Sequence, residues 1–322
     1  MQYRRFGRTN LQVSVIGIGT GGPSRFGQGS GVSEQDAART LRRALELGIN
    51  LIDTAANYRG SEDRLGRSLL DVPRDSYVMC TKFSPFRGGE GAATTADPLK
   101  PEAELRDSLE ASLRRLHLDH VDVLQLHGVA PDHYEGVRDR FVPAMRQVQA
   151  EGKCRFLGIS ETFGGRDAKH EMLPKACADD IFDTAMVGYN MLTPLPEQTA
   201  LAAAQQHDVG VLVMCAVRRA IANPAKLREL VAELKTNGEI PADSLPDTGP
   251  FDWLLKDGVE SVAAAAYKFA AGHPAVSCVL TGTATLEHLE ENVRAILGRP
   301  LPAEDRRRLV ETFRPVGRNL GN

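Results

Sequence analysis

The stretch Gly48-Ile-Asn-Leu-Ile-Asp-Thr-Ala-Ala-Asn-Tyr58 decides how the rest of the chain is read. Its centre, Asn50–Thr54, is a short aliphatic run that ends on an acid, as expected of a buried strand whose last residue opens onto a site. Gly48 stands where a glycine is favoured just past a helix end, and Ala37, Leu41, Ala44 and Leu45 before it recur at helical spacing. Ser33 with Asp36 has the form of a capping box at the start of that helix. One helix followed by one strand is the local reading.

The same alternation continues in both directions. Candidate strands are Val13–Gly19, Asn50–Thr54, Tyr77–Lys82, Val121–Leu126, Arg155–Ser160, Thr184–Tyr189, Gly210–Cys215 and Ser277–Thr281. Leu105, Leu109, Leu113 and Leu116 mark one intervening helix, and Leu286, Leu289, Val293 and Ile296 another. Several strands are apolar on both faces, as in a parallel sheet covered outside and filled inside. Eight β–α units argue for a closed (β/α)8 barrel, an α/β fold, with residues 1–322 as one domain; a doubly wound sheet is the rival. Two segments fall outside the pattern. Tyr3–Leu11, with its Gly-Arg-Thr-Asn turn signal, reads as an N-terminal hairpin. Ala216–Gly258 is a long insertion after strand seven, with its own helix around Ala225–Leu234, and its length makes it a candidate lid.

Composition agrees with a folded enzyme-sized chain. The 322 residues are 42% hydrophobic and 25% charged, and length alone leaves one or two domains open. With 39 Lys and Arg against 42 Asp and Glu, a net charge of −3 gives no reason to expect nucleic acid or an anionic membrane as partner. A small molecule is the expected partner, and the oligomeric state is open. No apolar run reaches membrane-spanning length and the N-terminus lacks a signal-peptide pattern, so the expected location is the cytoplasm. The five cysteines show no metal-ligand or redox spacing, so no metal is expected. Cys80, Cys154, Cys215 and Cys278 lie in or beside apolar runs and read as packing thiols, away from the chemistry.

In an α/β barrel the site lies at the C-terminal ends of the strands, so the residue ending each run is informative. Strand two ends in Asp53, with Tyr58 five residues on. Strand three ends in Lys82, strand four runs into His127, strand five ends in Ser160 and strand six in Tyr189. Singly, Asp53 could cap a turn, Tyr58 and Lys82 could be rim residues and His127 a packed ring. Together an acid, a phenol, an ammonium and an imidazole converge on one rim. An ammonium at the end of an apolar strand needs a partner, which Asp53 can supply.

These residues carry a resemblance to the aldo-keto reductase superfamily over nearly the whole chain. Gly48 to Glu62 with Leu65-Gly66 matches the family segment bearing its Asp and Tyr. Thr81-Lys82, Val121-Asp-Val-Leu-Gln-Leu-His127, Leu157-Gly-Ile-Ser160, Tyr189-Asn190 and Leu289-Glu-Glu-Asn292 follow in order. The chain most resembles the bacterial and plant-type branch that includes sugar and aldose dehydrogenases.

The resemblance implies hydride transfer between a nicotinamide cofactor, NAD(P)(H), and a carbonyl compound, alcohol or sugar, with the tetrad on Asp53, Tyr58, Lys82 and His127. Tyr58 would be the general acid or base, Lys82 would stabilise its phenolate, Asp53 would hold Lys82, and His127 would orient the carbonyl by a hydrogen bond. It also implies that Tyr189 stacks on the nicotinamide, that Ser160 binds the carboxamide, and that Gly19, Thr20, Gly282, Thr283, His288, Glu291 and Asn292 contact the cofactor; Arg218, with Arg219 just after strand seven, is placed to reach the pyrophosphate or to stay solvated. Two positions depart from the family: Glu161 stands where Asn is common and Met186 where Gln is common, and Glu161 keeps only acceptor capacity.

The eighth strand leads through Thr281-Gly-Thr-Ala-Thr285 into a helix, whose N-terminal N–H groups suit a phosphate. Residues 281–292 contain no Lys or Arg, only His288, which favours NAD(H) and leaves NADP(H) open. Selectivity is expected from Gly21–Val32 with Arg25 and Phe26, Phe83–Thr95 with Arg87, His127–Arg138, and the insertion with Trp253. Gly27-Gln-Gly-Ser-Gly31 lacks the dinucleotide fingerprint and reads as a flexible loop. Alternatives to an oxidoreductase are a cofactor-binding regulatory subunit and a barrel performing non-redox acid–base chemistry on a sugar.

Overall fold

The structure is a computed structural model and describes residues 1–87 and 99–321. Among these, eight parallel strands close a barrel: β3 (Ile16–Gly19), β4 (Leu51–Asp53), β5 (Val78–Phe83), β6 (Val121–Val129), β7 (Cys154–Glu161), β8 (Thr184–Gly188), β9 (Gly210–Met214) and β10 (Cys278–Thr281). Closure is completed by β10 pairing with both β9 and β3, which rules out the doubly wound sheet.

A separate antiparallel hairpin of β1 (Tyr3–Arg5) and β2 (Gln12–Ser14) precedes the barrel. The expected strand Val13–Gly19 is therefore two strands. Val13 pairs with Arg4 of the hairpin, and the parallel ladder begins only at Ile16. Ser14 and Asn50 hold the break: Ser14 N donates to Asn50 Oδ1 at 2.8 Å and Asn50 N donates to Ser14 Oγ at 3.0 Å. Side chains thus satisfy backbone groups that a continuous strand would have paired.

The barrel interior is a small cluster of its own, with Leu51, Val78, Cys80, Val123, Met186, Leu212 and Cys278 buried together with Phe6 and Val13 of the hairpin segment. Phe6 is fully buried and closes the floor, where its loss would cost about 3–5 kcal/mol. Alternation then decides the rim. Two residues beyond the interior positions Leu51, Cys80 and Val123 come Asp53, Lys82 and Gln125.

The larger core lies between strands and helices. The helices are α1 (Glu34–Glu46), α2 (Ser61–Leu69), α3 (Ala103–Leu116), α4 (Tyr134–Ala150), α5 (Met172–Ala178), α6 (Ala200–Gln206), α7 (Pro224–Thr236), α8 (Val262–Ala271), α9 (Leu286–Leu297) and α10 (Ala303–Phe313). The N-cap forms, Ser33 Oγ accepting from Asp36 N at 3.1 Å, and the Asp36 carboxylate answers by accepting from the Ser33 hydroxyl at 2.7 Å. The insertion holds α7 near its expected place, but most of it is not a lid. Phe251 stacks on Phe313 of α10, and the Arg308 guanidinium lies 4.3 Å from the Trp253 ring centroid. Its apolar side is buried against α10, an element that the sequence reading did not anticipate.

No helix among the described residues is long and apolar enough to cross a membrane.

Candidate active site

The turn after β4 delivers Tyr58 to the mouth. Tyr58 N donates to Ala55 O and Ser61 N to Tyr58 O, both at 3.1 Å, so the loop folds tightly back beside β5. Thr20 fixes the strand end from the other side, its N and Oγ1 both donating to Asp53 O, at 2.9 and 3.1 Å.

Lys82 lies at the centre of the constellation. Its buried Nζ donates to Asp53 Oδ2 at 2.6 Å and to Thr54 O at 2.7 Å, and reaches Tyr58 Oη at 3.4 Å. Burial alone would pull the ammonium down, but the Asp53 carboxylate and the Tyr58 hydroxyl more than offset it, so Lys82 stays charged. His127 completes the group, its ring meeting that of Tyr58 edge-on with centroids 5.6 Å apart. Burial, then the nearby Lys82 charge, lower the imidazole from 6.5 to about 3, so it is neutral and holds one N–H to donate.

A register shift between Leu126 and Val129 places His127 at the rim. Gly128 takes a φ of +67° there, a conformation favouring glycine, and its N donates to Ser160 Oγ at 2.9 Å.

Asp53, Tyr58, His127, Gly128 and Ser160 open on one cavity of about 1010 Å³, and Lys82 is buried behind its wall. Asp53, Tyr58 and His127 line one part. From there the wall runs past Ser160, Glu161, Met186 and Met214 to Gly19, Gly282, Thr283, His288, Glu291 and Asn292 at the start of α9. Arg218 lines it as well, lying 5.7 Å from the Phe163 ring centroid. Asn292 is committed inward, its Nδ2 donating to Thr281 Oγ1 at 2.8 Å. The size and the two chemically distinct ends fit a bound dinucleotide with a small substrate beside it.

Two expected contacts lie elsewhere. Tyr189 is fully buried and does not line the cavity. Met186 belongs to the barrel interior, so Gly188 shares its face and Tyr189 points the other way, between sheet and helices. There its ring packs 5.3 Å from Phe269 of α8, and its hydroxyl donates to Glu197 at 2.6 Å. Met214, ending β9, occupies the wall instead. Thr20 is likewise fully buried off the wall, serving Asp53 as described.

Other residues were not anticipated at the site. Gln125 Nε2 donates to Asp53 Oδ1 at 3.2 Å; its signal in the sequence was an amide two residues after Val123 on the interior-facing side of the strand. Glu62, in the first turn of α2, is buried, accepting from Thr81 Oγ1 at 2.6 Å and from Arg115, and so braces the residue before Lys82. Asn57 lines the cavity with both amide atoms buried and unpartnered among the described residues. Cys215 also lines it, so this thiol is not remote from the site.

Of the expected selectivity segments, Gly21–Val32 contributes Gly21, Pro23, Ser24, Ser30 and Val32 to the wall, while Phe26 is core and Arg25 does not line it. Residues 88–95 of Phe83–Thr95 lie outside the described residues. Arg87 pairs with Glu104 at 3.0 Å. Arg166, beside Asp132 at 2.7 Å, joins Ala130 on the wall. From the insertion, Ala216, Val217, Arg218, Arg219 and Ala222 reach it, and Trp253 does not.

The model of the aldo/keto reductase family matches residues 15–313. L-galactose dehydrogenase of Arabidopsis thaliana is 29% identical over 308 residues, covering 92% of this chain and 88% of the relative. D-threo-aldose 1-dehydrogenase of a Pseudomonas species is 27% identical over 257 residues, 74% of each chain. An aldo-keto reductase of Bacillus halodurans, solved in its holo form, superposes with a TM-score of 0.70 at 25% identity, covering 97% of this chain and 96% of that one. With a family model spanning the barrel, and sugar dehydrogenases among its relatives, the chain belongs to the aldo/keto reductase family of oxidoreductases.

Proposed function

We propose that the chain transfers hydride between a nicotinamide dinucleotide and a sugar or small carbonyl compound, with Tyr58 as general acid in reduction and general base in oxidation. The observation that carries this reading is Lys82 Nζ, which lies 2.6 Å from Asp53 Oδ2 and 3.4 Å from Tyr58 Oη at the inner end of the cavity. The bound nicotinamide supplies or accepts the hydride. Every other task falls to the chain. Reduction of a carbonyl needs a proton on the developing alkoxide, and the Lys82 ammonium stabilises the phenolate that Tyr58 leaves behind. Neutral His127 donates its N–H to the same oxygen and holds it near Tyr58. Asn57 offers an amide to a substrate hydroxyl, a use consistent with the sugar dehydrogenases among the relatives.

Gly282, Thr283 and the N-terminus of α9 would receive a phosphate, with Arg218 nearby. His288 and Glu291 line this end, and residues 281–292 hold no Lys or Arg. A carboxylate in place of a cation opposes a 2′-phosphate, so NAD(H) is the preferred form.

The test is a panel of aldehydes, ketones and aldoses with both dinucleotides in both directions, on wild type and Tyr58→Phe. Tyr58→Phe should abolish turnover while cofactor affinity stays within about threefold, since this hydroxyl acts on the substrate. Near-normal turnover in the variant removes the proposed acid. A much lower KM for NADPH than for NADH overturns the cofactor preference.

A further inference from the structure

Glu161 ends β7 on the cavity wall next to Ser160, and the tetrad makes no use of it. Its side chain is sealed against that of His170, Oε1 lying 2.8 Å from His170 Nδ1, with both side chains 0% exposed. The same Oε1 accepts from Gly188 N at 2.8 Å. One oxygen is therefore doubly engaged. The other, Oε2, is buried and has no hydrogen-bond partner among the described residues. Buried polar atoms are nearly always satisfied, so a bare carboxylate oxygen sealed just behind the wall of a large cavity points to a charge that acts on what the cavity binds.

Among the described residues, no side-chain cation bonds Glu161 Oε2. Asp167 is turned to the backbone, accepting from Glu171 N at 2.7 Å and Met172 N at 3.3 Å. The Cys215 thiol at the end of β9 is pushed up to about 11, chiefly by burial, and is neutral. Arg218 lies beyond it, over Phe163. His170 is the one cation directly bonded to the carboxylate, and it sits on Oε1.

We propose that Glu161, anchored by His170 and Gly188, holds an anionic oxygen just behind the wall at the nicotinamide end of the cavity and so selects the oxidised dinucleotide, whose nicotinamide ring is cationic, over the reduced one, whose ring is neutral. This rests on the dinucleotide reading above. Hydride transfer at Tyr58 and His127 requires the nicotinamide at this end, and Ser160, which binds Gly128 N beside His127, is Glu161's neighbour. The two redox states differ by one positive charge on the ring. A fixed carboxylate in a low-dielectric wall discriminates them by Coulomb attraction alone. The consequence is a bias toward oxidation of the alcohol or sugar. Burial raises the Glu161 carboxyl, against the pull of His170 and the Gly188 N–H, so the selection weakens as the pH falls and the carboxyl takes up its proton.

The test measures dissociation constants of the oxidised and reduced dinucleotide by calorimetry, on the full chain, using whichever of the NAD and NADP pairs wild type binds more tightly. In Glu161→Gln, which keeps size and removes charge, affinity for the oxidised form should fall about tenfold or more, with the reduced form changed less than about threefold. Equal losses for both forms, or no loss, overturn the selection while leaving the proposed function intact. Wild type alone gives a second measure that needs no variant. Its preference for the oxidised form should not increase as the pH is lowered, and an increase overturns the proposal. Failure of wild type to bind either pair overturns the dinucleotide reading and this inference together.

Discussion

Gln125 donates its amide Nε2 to Asp53 Oδ1 at 3.2 Å, reaching from β6 past β5 to the end of β4. The other oxygen of the same carboxylate is thereby left to Lys82 at 2.6 Å. A neutral donor and a charged donor divide one buried acid, which fixes its plane and aims the ammonium at Tyr58.

Replacing Gln125 by Leu leaves Asp53 Oδ1 bare in the barrel, a cost of about 1–3 kcal/mol. Denaturant melts should show that loss, and kcat should fall about tenfold as the Asp53–Lys82 pair loses its fixed orientation. An unchanged kcat with reduced stability would make the amide purely structural.

Gly21 faces the Tyr58 ring across the mouth, and a Cβ placed on it would come within 2.5 Å of Tyr58 Cζ and 2.9 Å of its hydroxyl. The ring is the part that can yield, so Gly21→Ala should fold normally yet displace the proposed acid. A drop in kcat of about 100-fold is expected, in line with misplacement of a reacting group by about 1 Å, with the melting temperature nearly unchanged. Full activity in this variant would show that Tyr58 tolerates the shift.

His127 should also destabilise the fold in acid. Its imidazole is lowered to about 3 in the folded chain, so between pH 3 and 6.5 the unfolded chain binds more protons than the folded one. Stability therefore rises with pH across this window and is lost as the pH drops through it, by at most about 5 kcal/mol for the full span. Urea melts of wild type and His127→Gln at pH 7, 5 and 4 check this: the gap between them should narrow or reverse in acid. Parallel loss in both would show that the ring is not held neutral by burial.

The convergence of Asp53, Tyr58, Lys82 and His127 was legible in the sequence because each ends or closely follows a short apolar run, and a parallel barrel brings all such ends to one rim. Gln125 was legible only as an anomaly, since its partner lies 72 residues away. His170 gave no local signal at all, being a loop residue that acquires meaning from the side chain of Glu161. Tyr189 misled for a related reason: it follows the last residue of its strand, and whether it faces cavity or helices depends on the parity set by Met186 within the barrel.

By itself the sequence determined the order of strands and helices, the floor-to-rim direction of each strand and the types of residue at the rim. These follow from hydrophobic period and punctuation, which are local. Only the tertiary structure decided where the first strand breaks, which side of β8 faces inward, how β6 bulges to present His127, and that the insertion lines the mouth with its first residues while Phe251 and Trp253 pack on α10. Each depends on pairing between segments far apart in the chain, where a register shift of one residue turns every side chain to the opposite face.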